Sequence, residues 1–335
     1  MTLKLPDVGK GLLKNIGPVI FFSVVFEVLM SLNILTMDLL NGYDNIDKIR
    51  TMKKQMTFLF VAIIFLFSCQ NKNAGLKIFD VHLHGDKAPE KQLSNLSANG
   101  VYKIAVSTSW PQQQTYQSND QLYVLRGLFV PCPNGIVPYS KQNCFDDGKE
   151  WPDIDWVEQQ IKERKIDFIG EVLTQYYGIS SSDTLIYPYY ALAEKYNLPV
   201  GIHTGSAGPA HGCPNFKEEM GNPSLLKSTL AKFPKLRVWL MHGGAPFIKE
   251  FIDMMKTYPG LYADISVLNN PDIVKPGDFS GAMKTFVEAG LEDRLMFGSD
   301  NGDIKKTVAS VEQLNFLSKG QKEKIFYKNA EMFFK

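Results

Sequence analysis

The chain has 335 residues, 44% of them hydrophobic and 21% charged, with a formal net charge of +1. That is an ordinary globular composition, long enough for one large domain or two small ones. A charge so close to neutral leaves no electrostatic footprint for nucleic acid, which is therefore not an expected partner.

The first 75 residues stand apart from the rest of the chain. An apolar patch from Ile16 to Leu35 is long enough for a membrane span, but Glu27 sits in its middle, where a charge is costly. A second pattern is the basic and then apolar order of a secretion signal: Met52-Lys53-Lys54 followed by Phe58–Phe67. It ends in Leu66-Phe67-Ser68-Cys69, which resembles the lipobox of bacterial lipoproteins. The resemblance implies cleavage before Cys69, lipidation of that cysteine, and a chain tethered to the bacterial cell envelope by residues 70–76. Translation is then expected to start at Met52, with residues 1–51 a mis-extended gene model or else a membrane segment, and residues 52–69 the signal peptide.

From Lys77 onward, strand-like and helix-like segments alternate. Strands are expected at Lys77–Asp80, Tyr102–Val106, Gly127–Val130, Phe168–Val172, Val200–His203, Arg237–Met241, Leu261–Ile265 and Arg294–Phe297. Helices are expected at Glu90–Asn99, Ile154–Arg164, Thr184–Tyr196, Pro223–Phe233 with Asn222 as its cap, Phe247–Thr257 and Asp278–Ala289. The tail, Lys305–Phe334, reads as helical. Two long loops, Pro131–Trp151 and Thr204–Asn222, are rich in turn residues, and long loops of this kind carry substrate pockets. This alternation predicts an α/β fold with a parallel sheet.

Phe79-Asp80-Val81-His82-Leu83-His84 is the stretch around which the rest is organised. Side chains alternate along a strand, so His82 and His84 point the same way and could grip one metal ion. The chain has only five histidines, and two of the others, His203 and His242, end strand-like runs. Glu171 and Asp300 end two more. The intervals His84–Glu171, Glu171–His203, His203–His242 and His242–Asp300 read as three, one, one and two βα units of about 30 residues each. That places the ligand-type residues on strands 1, 4, 5, 6 and 8 of a (β/α)8 TIM barrel spanning residues 77–335. Functional residues in such barrels lie at the C-terminal ends of the strands, so all six should meet at one mouth.

The segments Phe79-Asp80-Val81-His82-Leu83-His84, Gly170-Glu171, Gly201-Ile202-His203-Thr204, Met241-His242-Gly243-Gly244 and Phe297-Gly298-Ser299-Asp300 together resemble the amidohydrolase superfamily, closest to its amidohydrolase-related metal-dependent hydrolases. The tail Ile325-Phe326-Tyr327-Lys328-Asn329-Ala330 resembles that family's closing helix. The resemblance implies a divalent cofactor, Zn²⁺ by ligand type, as one or two ions. His82, His84 and Asp300 would hold one ion, His203 and His242 the other, and Glu171 would bridge them. A metal-bound hydroxide would then cleave an amide, ester or lactone bond of a small molecule, with Asp300 taking the proton and passing it to the leaving group. The alternative for Asp300 is a helix cap, but Ser299 or Asn301 can fill that role.

Other residues carry weaker expectations. Trp110, Tyr176 and His211 are candidate substrate contacts, with Tyr177 and Arg126 behind them, and Asp80 is expected to fasten the barrel rather than bind metal. Cys132 and Cys144 flank one long loop and can pair, but free thiols, Cys213 included, are equally compatible with the sequence. Three further functions remain open: decarboxylation of an aromatic acid, phosphodiester cleavage of the TatD type, which Glu171 suggests, and a non-catalytic anchored binding protein.

Overall fold

The computed structural model describes residues 76–335, with the exception of Ala207. The expected signal peptide, the Cys69 lipidation site and the alternatives for residues 1–51 lie outside the described residues. No helix among the described residues is long and apolar enough to cross a membrane.

Eight strands form one sheet, each parallel to the next in chain order: β1 (Ile78–His84), β2 (Val101–Thr108), β3 (Tyr123–Val130), β4 (Phe168–Val172), β5 (Pro199–Ile202), β6 (Arg237–Leu240), β7 (Tyr262–Asp264) and β8 (Leu295–Met296). The chain just past β8 closes the barrel onto β1: Val81 N donates to Phe297 O at 3.0 Å, and Asp300 N donates to His82 O at 2.9 Å. The helices are α1 (Pro89–Ala98), α2 (Trp110–Gln113), α3 (Ile154–Lys162), α4 (Thr174–Tyr177), α5 (Tyr187–Tyr196), α6 (Lys227–Lys232), α7 (Ile248–Thr257), α8 (Pro276–Glu288), α9 (Ile304–Glu312), α10 (Lys319–Glu323) and α11 (Asn329–Phe333). This is a (β/α)8 barrel.

Local chemistry sets most of the boundaries. Asp153 caps α3 by accepting from Asp155 N and Trp156 N. Asn222 accepts from Ser224 N as expected, but the helix it opens begins as a 3₁₀ turn, Pro223–Leu226, before α6. The tail is not one continuous helix: residues 313–318 break it between α9 and α10, while a π turn at Lys324–Lys328 joins α10 to α11. The cap of α9 is Asp303, which accepts from Lys305 N and Lys306 N, rather than Ser299 or Asn301. Asp300 is therefore free of capping.

Two bulges decide what faces the barrel interior. Phe79 and Val81 pack in the interior cluster with Phe168, Trp239 and Met241, whereas Ile78 and Leu83 pack outward beneath the helices. Simple alternation would send His82 and His84 outward with Ile78. Instead, β1 inserts an extra residue between Asp80 and Leu83 relative to β2, which reverses the parity and aims both histidines inward. β4 does the same between Ile169 and Val172, against β3 and β5 alike, and Glu171 turns inward there.

Below these residues the barrel is filled solid. A methyl group on Gly201 would sit 2.3 Å from the Trp239 ring, so glycine there is what admits the indole to the floor. Phe334 closes the bottom, with its ring centroid 5.1 Å from Phe79 and 5.3 Å from Trp239. Any cavity is thereby confined to the other end of the barrel.

Cys132 and Cys144 form a disulfide, and Cys213 is a buried free thiol. The bridge closes the long loop after β3. In the chain-entropy account a loop of this size stabilises the fold by about 3 kcal/mol. Replacing both cysteines with serine is expected to lower the urea-denaturation midpoint accordingly; an unchanged midpoint would show that the clip adds nothing to stability.

Candidate metal centre

Six side chains from five places in the barrel meet at its C-terminal mouth. His82 and His84 come from β1, Glu171 from β4, His203 and His242 from the residues just past β5 and β6, and Asp300 from the segment after β8. His203 Nδ1 lies 2.7 Å from Glu171 Oε1, and His242 Nε2 lies 3.3 Å from the same oxygen. His84 Nε2 lies 3.3 Å from Glu171 Oε2 and 3.0 Å from Asp300 Oδ1. His82 Nε2 lies 3.8 Å from Glu171 Oε1 and 3.8 Å from Asp300 Oδ1. Two triads, His82–His84–Glu171 and Glu171–His203–His242, share the glutamate, and a third, His82–His242–Asp300, spans the group; within each, the ligand atoms lie within 4.8 Å of one another.

The imidazoles are locked from behind. Ser266 Oγ donates to Asp264 Oδ1 at 2.6 Å. Its lone pairs are then left to accept from His82 Nδ1 and His242 Nδ1, each at 3.0 Å. Asp264 Oδ2 also accepts from His82 Nδ1 at 3.1 Å and from Trp239 Nε1 at 3.2 Å. The Ser107 carbonyl accepts from His84 Nδ1 at 3.0 Å. Three rings thus keep a hydrogen on the outward nitrogen and present Nε2 inward, the arrangement that orients imidazoles toward a metal. His82 Nε2 is buried with no hydrogen-bond partner. A buried polar atom without a partner is expensive, and a cation among these acids and imidazoles would satisfy it. The donor set therefore fits a divalent metal.

Backbone geometry adds a second constraint. His242 and Asp300 adopt left-handed conformations, with φ of 65° and 47°. Non-glycine residues of this kind cost on the order of 1 kcal/mol or more and persist only where the surroundings hold them. Here Asp264 Oδ1 accepts from His242 N at 3.1 Å. Asp80 Oδ1 accepts from Ser299 N at 3.0 Å and from His82 N at 3.2 Å, fastening β1 to the segment that carries Asp300. Burial pushes the Asp80 carboxyl up to about 6.

A cavity of about 680 Å³ opens above the cluster, within the usual range for a small-molecule site. Tyr176 and His211, two of the candidate substrate contacts, line it. Trp110 does not: it packs edge-on against Trp156, with ring centroids 4.8 Å apart, in a separate hollow beside Phe145, because α2 carries it outward past the barrel rim. Tyr177 is tied to Glu150 and packs on Trp151. Arg126 is held by Asp167 and the Arg164 carbonyl away from the cavity, and no arginine lines it. Asp264, Ser266 and Tyr139 were missed by the sequence reading. Asp264 carried a usable signal, since it is an acid ending an apolar strand just as Glu171 and Asp300 do. Tyr139 carried none, being one tyrosine among 14.

A family model described as amidohydrolase matches residues 158–335, more than half of the chain. The chain belongs to the amidohydrolase family. No curated protein matches it. Among solved structures, a probable 2-pyrone-4,6-dicarboxylic acid hydrolase from Acinetobacter baumannii shares the amidohydrolase barrel at 13% identity and a TM-score of 0.51, covering 77% of this chain and 99% of that one. A zinc-bound amidohydrolase from Burkholderia multivorans does so at 12% identity and a TM-score of 0.53, with 77% and 99% covered. A 2,6-dihydroxybenzoate decarboxylase in complex with 2,6-dihydroxybenzoate does so at 11% identity and a TM-score of 0.50, with 78% and 99% covered. At these identities the likeness is one of fold.

The electrostatics of this amidohydrolase site predict how it loads metal. Burial opposes ionisation of Glu171, but His203, His242 and His84 outweigh it and hold the carboxylate well below its ordinary range. Burial likewise opposes protonation of His82, but Asp264, Asp300 and Glu171 outweigh it and push the imidazole up to about 10. At neutral pH His82 therefore keeps a proton that a cation must displace. Metal affinity is expected to rise with pH up to about 10, and uptake at pH 7 is expected to release about one proton. Calorimetry in buffers of different ionisation enthalpy measures this, and uptake without proton release would rule it out.

Proposed function

We propose that the chain is a metal-dependent hydrolase that opens an amide, ester or lactone bond of a small neutral or singly charged molecule. One observation carries this reading: imidazole nitrogens fixed by outward hydrogen bonds converge with two carboxylates at the floor of a substrate-sized cavity. His82, His84 and Asp300 would hold one cation, His203 and His242 a second, with Glu171 shared; Zn²⁺ suits this mixture of nitrogen and oxygen donors. A cation held there supplies Lewis acidity and water acidic enough to react at neutral pH. Asp300 is the residue placed to move protons. Its side chain is 22% exposed to the cavity, against 7% at most for His82, His84, Glu171, His203 and His242. Burial works against its ionisation, but His82, His84 and His242 outweigh it and hold the carboxyl well below its ordinary range, so it starts as a base. The cavity is lined by one lysine, Lys87, and no arginine, a sparse cationic lining that favours substrates of low charge over phosphodiesters.

The decarboxylase that shares the barrel supports a second reading, loss of CO₂ from a carboxylated aromatic, with Asp300 first taking a proton from water and then passing it to the ring carbon that the carboxylate leaves. One experiment separates the two. The zinc-loaded protein is incubated with lactones, esters, amides and hydroxybenzoates while acid and CO₂ release are followed. Acid release without CO₂ supports hydrolysis; CO₂ from the aromatic acids replaces it with decarboxylation. Stoichiometric metal with no turnover of any compound would point to a binding protein.

We further propose that translation starts at Met52 and that a lipid on Cys69 holds the barrel at the cell envelope. The Cys132–Cys144 disulfide supports an oxidising compartment. Palmitate labelling lost in Cys69→Ala is the expected result; native peptides from residues 1–51 would refute the start site.

A further inference from the structure

The long loop after β3 carries Tyr139 into the cavity, inside the stretch that the Cys132–Cys144 bridge closes. Its hydroxyl oxygen lies 2.6 Å from His84 Nδ1. The same nitrogen lies 3.0 Å from the Ser107 carbonyl oxygen. A carbonyl oxygen only accepts, so at this distance the nitrogen must carry a hydrogen. Two acceptors then share that hydrogen, and the phenol oxygen is one of them. The hydrogen of Tyr139 itself is left over, with no acceptor among the described residues. The ring is held in place against His84, with centroids 4.2 Å apart, and against Phe129 at 6.0 Å. The hydroxyl therefore stands beside a metal-ligand candidate, at the cavity wall, with a donor unspent.

We infer that Tyr139 is a catalytic hydrogen-bond donor to the substrate oxygen attached to the reacting carbon. When water adds to that carbon, the carbonyl π electrons move onto the oxygen, and the phenol stabilises the growing negative charge while keeping its proton. A preorganised donor aimed where charge develops is among the larger single contributions to catalysis. The substrate class is an acyl compound whose oxygen reaches the wall formed by Tyr139 while its carbon lies over the imidazole cluster. Tyr176 and His211, with ring centroids 6.0 Å apart, border the remaining space. This assignment rests on the proposed metal-centred hydrolase reading, because acyl addition builds negative charge on the substrate oxygen whereas loss of CO₂ removes it from the carboxylate.

Tyr139→Phe removes only the hydroxyl and keeps the ring contacts. Three measurements test it. In ¹⁵N-histidine-labelled protein, long-range ¹H–¹⁵N spectra are expected to show His84 Nδ1 protonated; an unprotonated Nδ1 would make Tyr139 the donor to His84 and overturn the inference. Methylphosphonate, a tetrahedral oxyanion, is expected to bind the zinc-loaded variant roughly tenfold or more weakly than the parent by calorimetry. Equal affinity would overturn it. With any substrate the panel yields, kcat is expected to fall about 10²-fold at unchanged metal stoichiometry and nearly unchanged KM. A kcat within twofold of the parent would overturn it. The first two measurements need no turnover, so they judge Tyr139 even if every hydrolase substrate fails.

Discussion

Asp300→Asn is expected to lower kcat by about 10³-fold while leaving the barrel folded, the loss typical of removing a positioned acid–base group. Asparagine keeps the size and the oxygen near His84 Nε2, which lies 3.0 Å from the carboxylate in the parent. What it cannot do is accept a proton from water and release it to the leaving group. The backbone at 300 is left-handed, a conformation that asparagine tolerates well, and its N–H still donates to His82 O. The fold therefore has no reason to suffer; the melting temperature and the metal stoichiometry separate unfolding and loss of the cation from loss of proton transfer. A variant retaining a tenth of the parent kcat would show that the proton travels by another route, and Asp300 would lose its role as the proton carrier.

Asp264→Asn is expected to act through metal affinity and stability together. The buried carboxylate accepts from His82 Nδ1, Trp239 Nε1, His242 N, Ser266 N and Ser266 Oγ. An amide has one acceptor oxygen, so its NH₂ must face either the His82 and Trp239 hydrogens or those of His242 and Ser266. Each buried donor left unpaired costs about 1–3 kcal/mol, and at least two are affected. The His82 ring also loses the acceptor that fixes its hydrogen outward, and losing such a partner typically weakens metal binding about 10- to 100-fold. Chelator competition and urea denaturation measure the two effects separately. Parent-like values in both would mean that Ser266 alone orients the rings.

The barrel is legible in the sequence because its signal is local and repeated. Phe168–Val172 is the strand the sequence predicts, and α3 and α7 match the expected helices closely, because apolar period and capping residues act within a few neighbours. The spacing of His84, Glu171, His203, His242 and Asp300 in units of one βα repeat placed them on strands that the barrel brings to one mouth. Regular connections make sequence distance a measure of angular position around the axis. Trp110 lies away from the cavity, because a residue just after a strand can turn either way. The loop, not the strand, sets that direction, and α2 turns it toward Trp156.

By itself, then, the sequence determined the fold class, the five chain positions that bring ligand-type side chains together, and the chemical type of those side chains. These follow from periodicity and from connections of regular length. Only the tertiary structure decided that His82, His84 and Glu171 face inward, because one extra residue in β1 and one in β4 reverse the strand parity, and registry between strands is invisible in a single strand. It also decided that Asp264 and Ser266 hold the imidazoles and that Tyr139 reaches His84. Those contacts join residues far apart in the chain, and their geometry exists only once the barrel has closed.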